Sequence, residues 1–306
     1  MSTGAGGVIL LFLCAPIRHT VQRALAMVQI LIASVDGVIM VSLLFVGDMT
    51  GEVPASIFQF DDGLEVIRAR DPDEATRLLA SRECPTPELV MVAESRGGQF
   101  SHAALAALRR QAPLVRVWRL LGSWCEGEAR SGRPPAATVS TYWHLWRARL
   151  GREIETVRRG RLPSWALPLT ATGDERILAQ SDESIGLNRG GTIAICASSA
   201  PAAAALDDLC RAVGYQTLLI SDDGRFHIAG VSAVLWDTTD RRLNDAAYVE
   251  ELVGRATGAP VLAIVGFPRA DDVELACRSG IAAVISKPFL AGDLLWHLDR
   301  IASKAG

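Results

Sequence analysis

Lysine is almost absent from this chain, so the position of one lysine is informative. Two of the 31 basic residues are lysines, Lys287 and Lys304, and the others are arginines. Lys287 stands between the apolar run AAVIS and Pro288, where a strand is expected to end. Lysine carries a compact ammonium on a thin stem, whereas arginine carries a wide planar fork. We therefore expect Lys287 to reach an anion at the end of a strand.

Other residues that could share this chemistry also follow apolar runs. Asp237 closes VSAVLWD, and Ser198 and Ser199 follow TIAICA. The carboxyl ends of parallel strands meet at one edge of a sheet, which is where ligands bind. Two interpretations of Lys287 stay open: a structural salt bridge to Asp237, or binding of an anionic ligand.

A second group of reactive residues lies in the turn-rich segment 122–134. Its most unusual members are Trp124, Cys125 and Glu126. The aromatic stretch YWHLW follows and contains His144. Three interpretations remain open: a nucleophile pair of Cys125 with His144, a pocket for an aromatic ligand or peptide, or plain packing. In the packing interpretation the tryptophans of YWHLW hold the loop on a sheet, and His144 points outward.

The elements that must position the first group alternate regularly over residues 191–306. Short aliphatic runs, expected to be strands, alternate with helical segments that end at glycine, such as 201–214 and 270–280. Continuous rather than alternating apolar strands are typical of a parallel sheet covered on both faces. The pattern predicts an α/β fold with a doubly wound, five-stranded parallel sheet.

Residues 40–161 repeat this rhythm less regularly and predict a divergent α/β unit. Strands are expected at 41–48, 64–69, 88–93 and 114–121, and the helix after the first strand is missing or reduced. Glu94, just beyond the third strand, is expected to be a solvated loop residue. The stretch 138–161 is expected to form one long helix with a solvated arginine-rich face. Residues 162–190 lack periodicity and are expected to be a linker.

With these strands placed, residues 191–306 resemble the CheY-like receiver domain of bacterial response regulators. The resemblance rests on ISKPF and on VLWD, which puts Asp237 at the phosphoacceptor position and Lys287 at the lysine that pairs with the phosphoryl group. It implies a flavodoxin-like fold, a role in phosphorelay signal transduction and a Lys-Pro bond that is often cis. Residues 40–121 resemble a receiver only in the alternation of their predicted strands and helices.

The chain departs from the receiver pattern where that family binds magnesium. Ser198 and Ser199 replace the acidic pair, and a hydroxyl is a poor ligand for a hard dication. Val265 and Gly266 occupy the place expected for Thr or Ser, while Asp222 and Asp223 follow the second strand, at the wrong strand end. We therefore predict a pseudo-receiver with no metal or other cofactor, Mg²⁺ being required only if phosphorylation survives.

The composition limits which cellular compartment and which classes of binding partner we expect. The 306 residues are 49% hydrophobic and 21% charged with a net charge of -3, which gives no electrostatic footprint for nucleic acid or for an anionic membrane. Six scattered cysteines without a CxxC pair fit reduced thiols in a cytoplasmic protein. Residues 1–39 form an apolar extension, interpreted as a start artefact, with a membrane anchor over 24–46 as the alternative; Asp36 argues against the anchor.

These observations predict a cytoplasmic signalling protein, not an enzyme, that acts by protein–protein interaction. We expect its partner, a histidine kinase or another signalling protein, to bind through residues 270–303, and a second copy of the chain is a further candidate. The alternative is an enzyme or ligand-binding protein that uses Trp124, Cys125, Glu126 and His144.

Overall fold

Two parallel sheets organise the molecule. The computed structural model describes residues 40–54, 58, 64–81, 85–128, 132, 135, 138–168, 170–181, 189–220, 229–238 and 240–302. The strands of the first sheet are β1 (Val41–Val46), β2 (Leu64–Ala69), β3 (Leu89–Arg96), β4 (Arg116–Trp124) and β5 (Thr138–Tyr142). Those of the second are β6 (Thr192–Ala197), β7 (Gln216–Ile220), β8 (Ala233–Asp237), β9 (Val261–Gly266) and β10 (Ala283–Lys287).

Both sheets have the same strand order. The first runs β2-β1-β3-β4-β5 and the second β10-β9-β8-β6-β7, with parallel pairing throughout. Counted within each unit, the order is 2-1-3-4-5, the flavodoxin-like order of doubly wound sheets. The predicted fold class, two tandem doubly wound α/β units, is confirmed.

Helices cover both faces of each sheet. In the first unit they are α1 (Pro72–Ser81), α2 (His102–Gln111) and α3 (Trp143–Arg158). They are followed by a 3-10 helix (Ser164–Ala166) and α4 (Gly173–Ser181), and then in the second unit by α5 (Ala200–Ala212), α6 (Asp240–Leu243), α7 (Ala246–Arg255), α8 (Ala270–Arg278) and α9 (Ala291–Ala302). Between β1 and β2 the structure describes residues 47–54 and 58, so the prediction that the helix here is missing or reduced falls partly outside the described residues.

The long helix predicted over 138–161 is wrong at its beginning. Thr138–Tyr142 is the fifth strand, paired with β4, and the helix begins at Trp143. Nor is this helix mainly a solvated face, because Trp146, Leu150 and Ile154 pack into the core of the first unit. Tryptophan rings add to that core, with Trp118 6.1 Å from Trp146 between centroids.

The segment predicted to be a linker is attached to the first sheet. The buried side chain of Arg116 donates hydrogen bonds to the carbonyl oxygens of Trp165 and Leu167. Glu153 of α3 accepts a hydrogen bond from the Ser164 amide at 2.6 Å, and Trp165 lies in the same core. Residues 162–168 therefore pack as part of the first unit, and α4 contributes further regular structure to the stretch.

The membrane anchor over 24–46, the alternative interpretation of the N-terminal segment, falls largely outside the described residues, which begin at Met40. The part that is described, Val41–Val46, is a buried central strand of the first sheet. Within the described part of the chain, no helix combines the length and the apolar character needed to cross a membrane.

Candidate functional site

The carboxyl edge of the second sheet brings Asp237 and Lys287 together. Asp237 ends β8 beside β6 and β9, and Lys287 ends β10 beside Gly266. The Lys287 ammonium donates to Oδ1 of Asp237. Asp237 is buried, whereas the Lys287 side chain keeps 41% of its surface exposed. The Lys287-Pro288 bond is cis, as the resemblance implies.

The two serines after β6 lie at the same edge, where one contacts Asp237 and the other caps a helix. Ser198 donates a hydrogen bond from Oγ to Oδ2 of Asp237 at 3.4 Å. Ser199 is the N-cap of α5, and its Oγ accepts from the Ala202 amide at 3.4 Å. Sequence reasoning placed both residues correctly at this edge. The capping role of Ser199 shows that it belongs to the helix as much as to the site.

The remaining positions of the receiver pattern do not complete a site. Val265 is buried in the core between the sheet and α7, so its side chain does not reach Asp237. Gly266 offers no side chain, although a Cβ there would meet open space. Asp222 and Asp223 lie outside the described residues, as does Lys304.

These donors do not fit Mg²⁺. The ion is usually held by one or two carboxylates together with waters and substrate oxygens. Here Asp237 is the one carboxylate at the strand edge among the described residues, and an ammonium already neutralises it. Ser198 adds a neutral oxygen. A divalent cation would have to displace Lys287 from Asp237, and we derive no step that uses one.

The Cys125 and His144 pair proposed from sequence is not assembled. The buried Cys125 thiol donates to the Glu94 carbonyl at 3.4 Å, and burial, with the charge of Glu94, raises its pKa to about 11. His144 lies in the first turn of α3, stacked on Tyr142 at 5.6 Å between centroids. No hydrogen bond joins the two side chains in the described structure.

The neighbours of Cys125 in the sequence face solvent. Glu126 is exposed, and Trp124 keeps 81% of its surface accessible. His144 does not point outward, contrary to the packing interpretation. Both of its ring nitrogens are buried and have no hydrogen-bond partner among the described residues. Burial, and then the charge of Arg149, lowers its pKa to about 3.

Sequence reasoning missed a buried ion pair at the carboxyl edge of the first sheet. Glu94 lies within β3 and is 1% exposed, so the prediction of a solvated loop residue is wrong. Arg119 of β4 binds it through two hydrogen bonds, of 3.0 Å from Nε and 2.7 Å from Nη2. Glu128 lies 3.5 Å from the same Nη2. A charged residue inside the apolar run of β4 was the available signal, because a buried charge needs a partner.

Helix α3 covers part of the surface predicted to bind a partner, 270–303, through contacts with α9. Arg152 of α3 lies 2.8 Å from Asp293 of α9, and Arg149 lies 3.6 Å from the same carboxylate. Trp296 donates from Nε1 to Glu155 at 3.1 Å. Two of the arginines expected on a solvated helix face therefore serve the contact between units.

Apolar packing accompanies these polar contacts between the units. Val273 of α8 packs against the core of the first unit. Leu145 of α3 belongs to the core of the second. Gly151 allows the closest approach, because a Cβ there would fall 2.3 Å from Cζ2 of Trp296.

Comparison with known proteins gives low similarity. No protein-family profile matches the chain, and no curated protein matches it. Among solved structures, the receiver domain of Francisella response regulator 1452 is similar at 13% identity and a TM-score of 0.34, over 38% of this chain and 99% of that one. PH0766 from Pyrococcus horikoshii OT3 is similar at 13% identity and a TM-score of 0.32, over 87% and 66%. The fold assignment rests on the strand order and helix placement.

Proposed function

We propose that this protein is a signalling protein of the two-component response-regulator class whose second unit is a pseudo-receiver. The observation that carries the proposal is the ion pair between Asp237 and Lys287 at the carboxyl edge of the second sheet. It retains the acceptor position and the lysine of a receiver. The hydroxyl of Ser198 stands where a metal-binding carboxylate would be needed for phosphorylation.

In this proposal the protein acts by binding other proteins and catalyses no reaction. The buried Cys125 thiol, with its pKa raised to about 11, supports this, because a thiol nucleophile needs a substantial thiolate fraction. The partner, a histidine kinase or another signalling protein, is proposed to use the α8–β10–α9 face. Since α3 packs on α9, a partner that binds the α9 side of this face would require that contact to open.

The test is the intact mass of the full-length protein after incubation with acetyl phosphate and Mg²⁺. We expect no phosphate adduct that depends on Asp237. The matched variant Asp237→Asn identifies any adduct on other residues. An adduct on the wild-type protein that Asp237→Asn abolishes would establish a working phospho-switch and overturn the pseudo-receiver proposal.

A gain-of-function variant makes a negative result interpretable. Ser198→Asp combined with Ser199→Asp supplies the missing carboxylates, and aspartate also caps a helix, so α5 keeps its N-cap. We expect this double variant to bind Mg²⁺ and to form an Asp237-dependent adduct under the same conditions. If it stays unmodified while folding normally, the serines are not what silences the site.

A further inference from the structure

A cavity of about 230 Å³, open to solvent on one side, lies at the contact between the two units. Trp143, His144 and Arg147 of α3 line one side. Trp296, His297 and Arg300 of α9 line the other. Pockets for small molecules occur preferentially at domain interfaces, and this volume lies below the range of roughly 300–1,000 Å³ for drug-sized ligands. The cavity therefore fits a small ligand.

The polar groups of the cavity wall are cationic or neutral. No aspartate or glutamate occurs among the described residues that line it. Two acidic side chains on the helices that line it have partners of their own: Glu155 accepts from Trp296 at 3.1 Å, and Glu274 lies 2.7 Å from Arg278. Arg147 has no carboxylate partner in the described part of the chain. A ligand that supplies a negative charge would complement this wall.

Buried polar atoms without partners point to the same cavity. Nδ1 and Nε2 of His144 are both buried and make no hydrogen bond among the described residues. Buried polar atoms are normally satisfied, so an unsatisfied pair beside a cavity calls for an explanation. A bound acceptor or donor would supply it.

The rest of the wall is apolar and aromatic. The indoles of Trp143 and Trp296 contribute, and Val273 and Ile301 lie beside them. Arg300 stacks over the Trp296 ring, with its guanidinium carbon 4.7 Å from the centroid. Flat apolar walls beside cationic groups favour a flat ring with an acidic substituent.

We propose that the cavity between α3 and α9 binds a small anion built on a single aromatic ring that carries a phosphate or a carboxylate. Arg147 pairs with the anionic group, His144 supplies a hydrogen bond, and the ring lies against the tryptophans. This site is separate from Asp237 and Lys287, so the acetyl phosphate experiment and the experiment below succeed or fail independently.

The test uses the full-length protein and two probes, phenyl phosphate and benzoate, with binding followed by calorimetry and tryptophan fluorescence. Benzyl alcohol tests the ring without the charge, and inorganic phosphate tests the charge without the ring. We expect saturable binding of at least one probe, and much weaker binding of both controls. Which probe binds more tightly distinguishes a phosphate ligand from a carboxylate ligand.

Matched arginine variants locate the binding. Arg147 is exposed and has no ion-pair partner among the described residues, so Arg147→Gln is expected to fold. We expect it to weaken probe binding about tenfold or more, the loss typical of a charged hydrogen bond. Arg110→Gln removes the same charge from the exposed end of α2 and should leave affinity unchanged. Equal affinity in wild-type protein and Arg147→Gln would overturn the proposal.

Cys277 supplies an independent readout because it is exposed and lines the cavity. Maleimide labelling, mapped to the Cys277 peptide by mass spectrometry, should slow several-fold when a probe is bound. The absence of binding by both probes, or an unchanged labelling rate at saturating probe, would show that the cavity takes no such ligand.

Discussion

Arg152 and Asp293 are 141 residues apart in the chain and form an ion pair between the two units, with Nη1 2.8 Å from Oδ1. Asp293 is fully buried and Arg152 nearly so. The carboxylate also accepts a hydrogen bond from the Leu290 amide at 3.2 Å, which secures the first turn of α9. The contact between units therefore includes a charge that water cannot reach.

Removing one partner of this pair is expected to destabilise the protein. Arg152→Met leaves Asp293 buried, with the more distant Arg149 as its cationic partner among the described residues. We expect the free energy of unfolding to fall by about 3 kcal/mol. Urea denaturation measures it. The control Arg110→Met changes an exposed arginine and should cost little. Equal effects of the two variants would mean that the pair contributes nothing.

Gly151→Ala is expected to destabilise the protein, although helix propensity alone would predict stabilisation. Alanine in place of glycine within a helix normally stabilises by about 1 kcal/mol. At Gly151 the new Cβ would meet the Trp296 ring at 2.3 Å, so we expect destabilisation by about 1–3 kcal/mol. Gly254 of α7 has open space around it, and Gly254→Ala should stabilise. Thermal unfolding of both variants tests the contrast; stabilisation by Gly151→Ala would contradict the close packing of α3 on α9.

The Glu94–Arg119 pair predicts a strong difference between single and double variants. Glu94→Met leaves the Arg119 guanidinium buried, with the more distant Glu128 as its carboxylate partner among the described residues, and should cost about 3 kcal/mol. Replacing both residues by methionine removes both charges and should cost much less. Denaturant unfolding of Glu94→Met, Arg119→Met and the double methionine variant gives the coupling energy. If the effects simply add, the two side chains do not act as a pair.

Acid should destabilise the protein through His144 and His297. Burial is the main cause that lowers the pKa of each to about 3, helped by Arg149 at His144 and by Arg147 and Arg300 at His297. The unfolded chain then binds more protons between pH 3 and 6.5. Stability is therefore complete above about pH 6.5 and falls as the pH drops, by about 1.4 kcal/mol per pH unit for each extra proton.

Unfolding free energies measured from neutral pH down to pH 4 test this slope. His144→Phe and His297→Phe should each make it shallower, whatever they do to stability at neutral pH. His102→Phe changes an exposed histidine on α2 and should leave the slope as it is. An unchanged slope in both buried variants would show that other groups set the acid sensitivity.

The sequence predicted elements whose signal is local. Asp237 and Lys287 could be placed at strand ends because both close continuous apolar runs of the second unit. The fifth strand of the first unit, TVSTY, was missed because its polar, partly exposed residues resemble the beginning of the amphipathic helix that follows. Its pairing with β4 decides its structure, and that partner is distant in sequence.

Contacts between units had no local signal at all. Leu145 fits the apolar stripe of α3 equally well whether it packs on its own sheet or on the second unit, and Asp293 resembles any acidic residue in the first turn of a helix. The charge of Arg119 inside β4 was the exception, since it required a buried partner. The identity of its carboxylate partner depended on the register between β3 and β4, which the sequence pattern did not specify.

The packing of α3 on α9 has a consequence for any other protein that binds the same face. Both units belong to one polypeptide, so their association is intramolecular and does not weaken on dilution. Tethered modules of this kind face each other at effective concentrations of millimolar order. A protein that competes for the surface around Trp296 must therefore overcome this effective concentration, which its own concentration in a cell rarely reaches. Proteins with weak affinity for the surface will not displace α3.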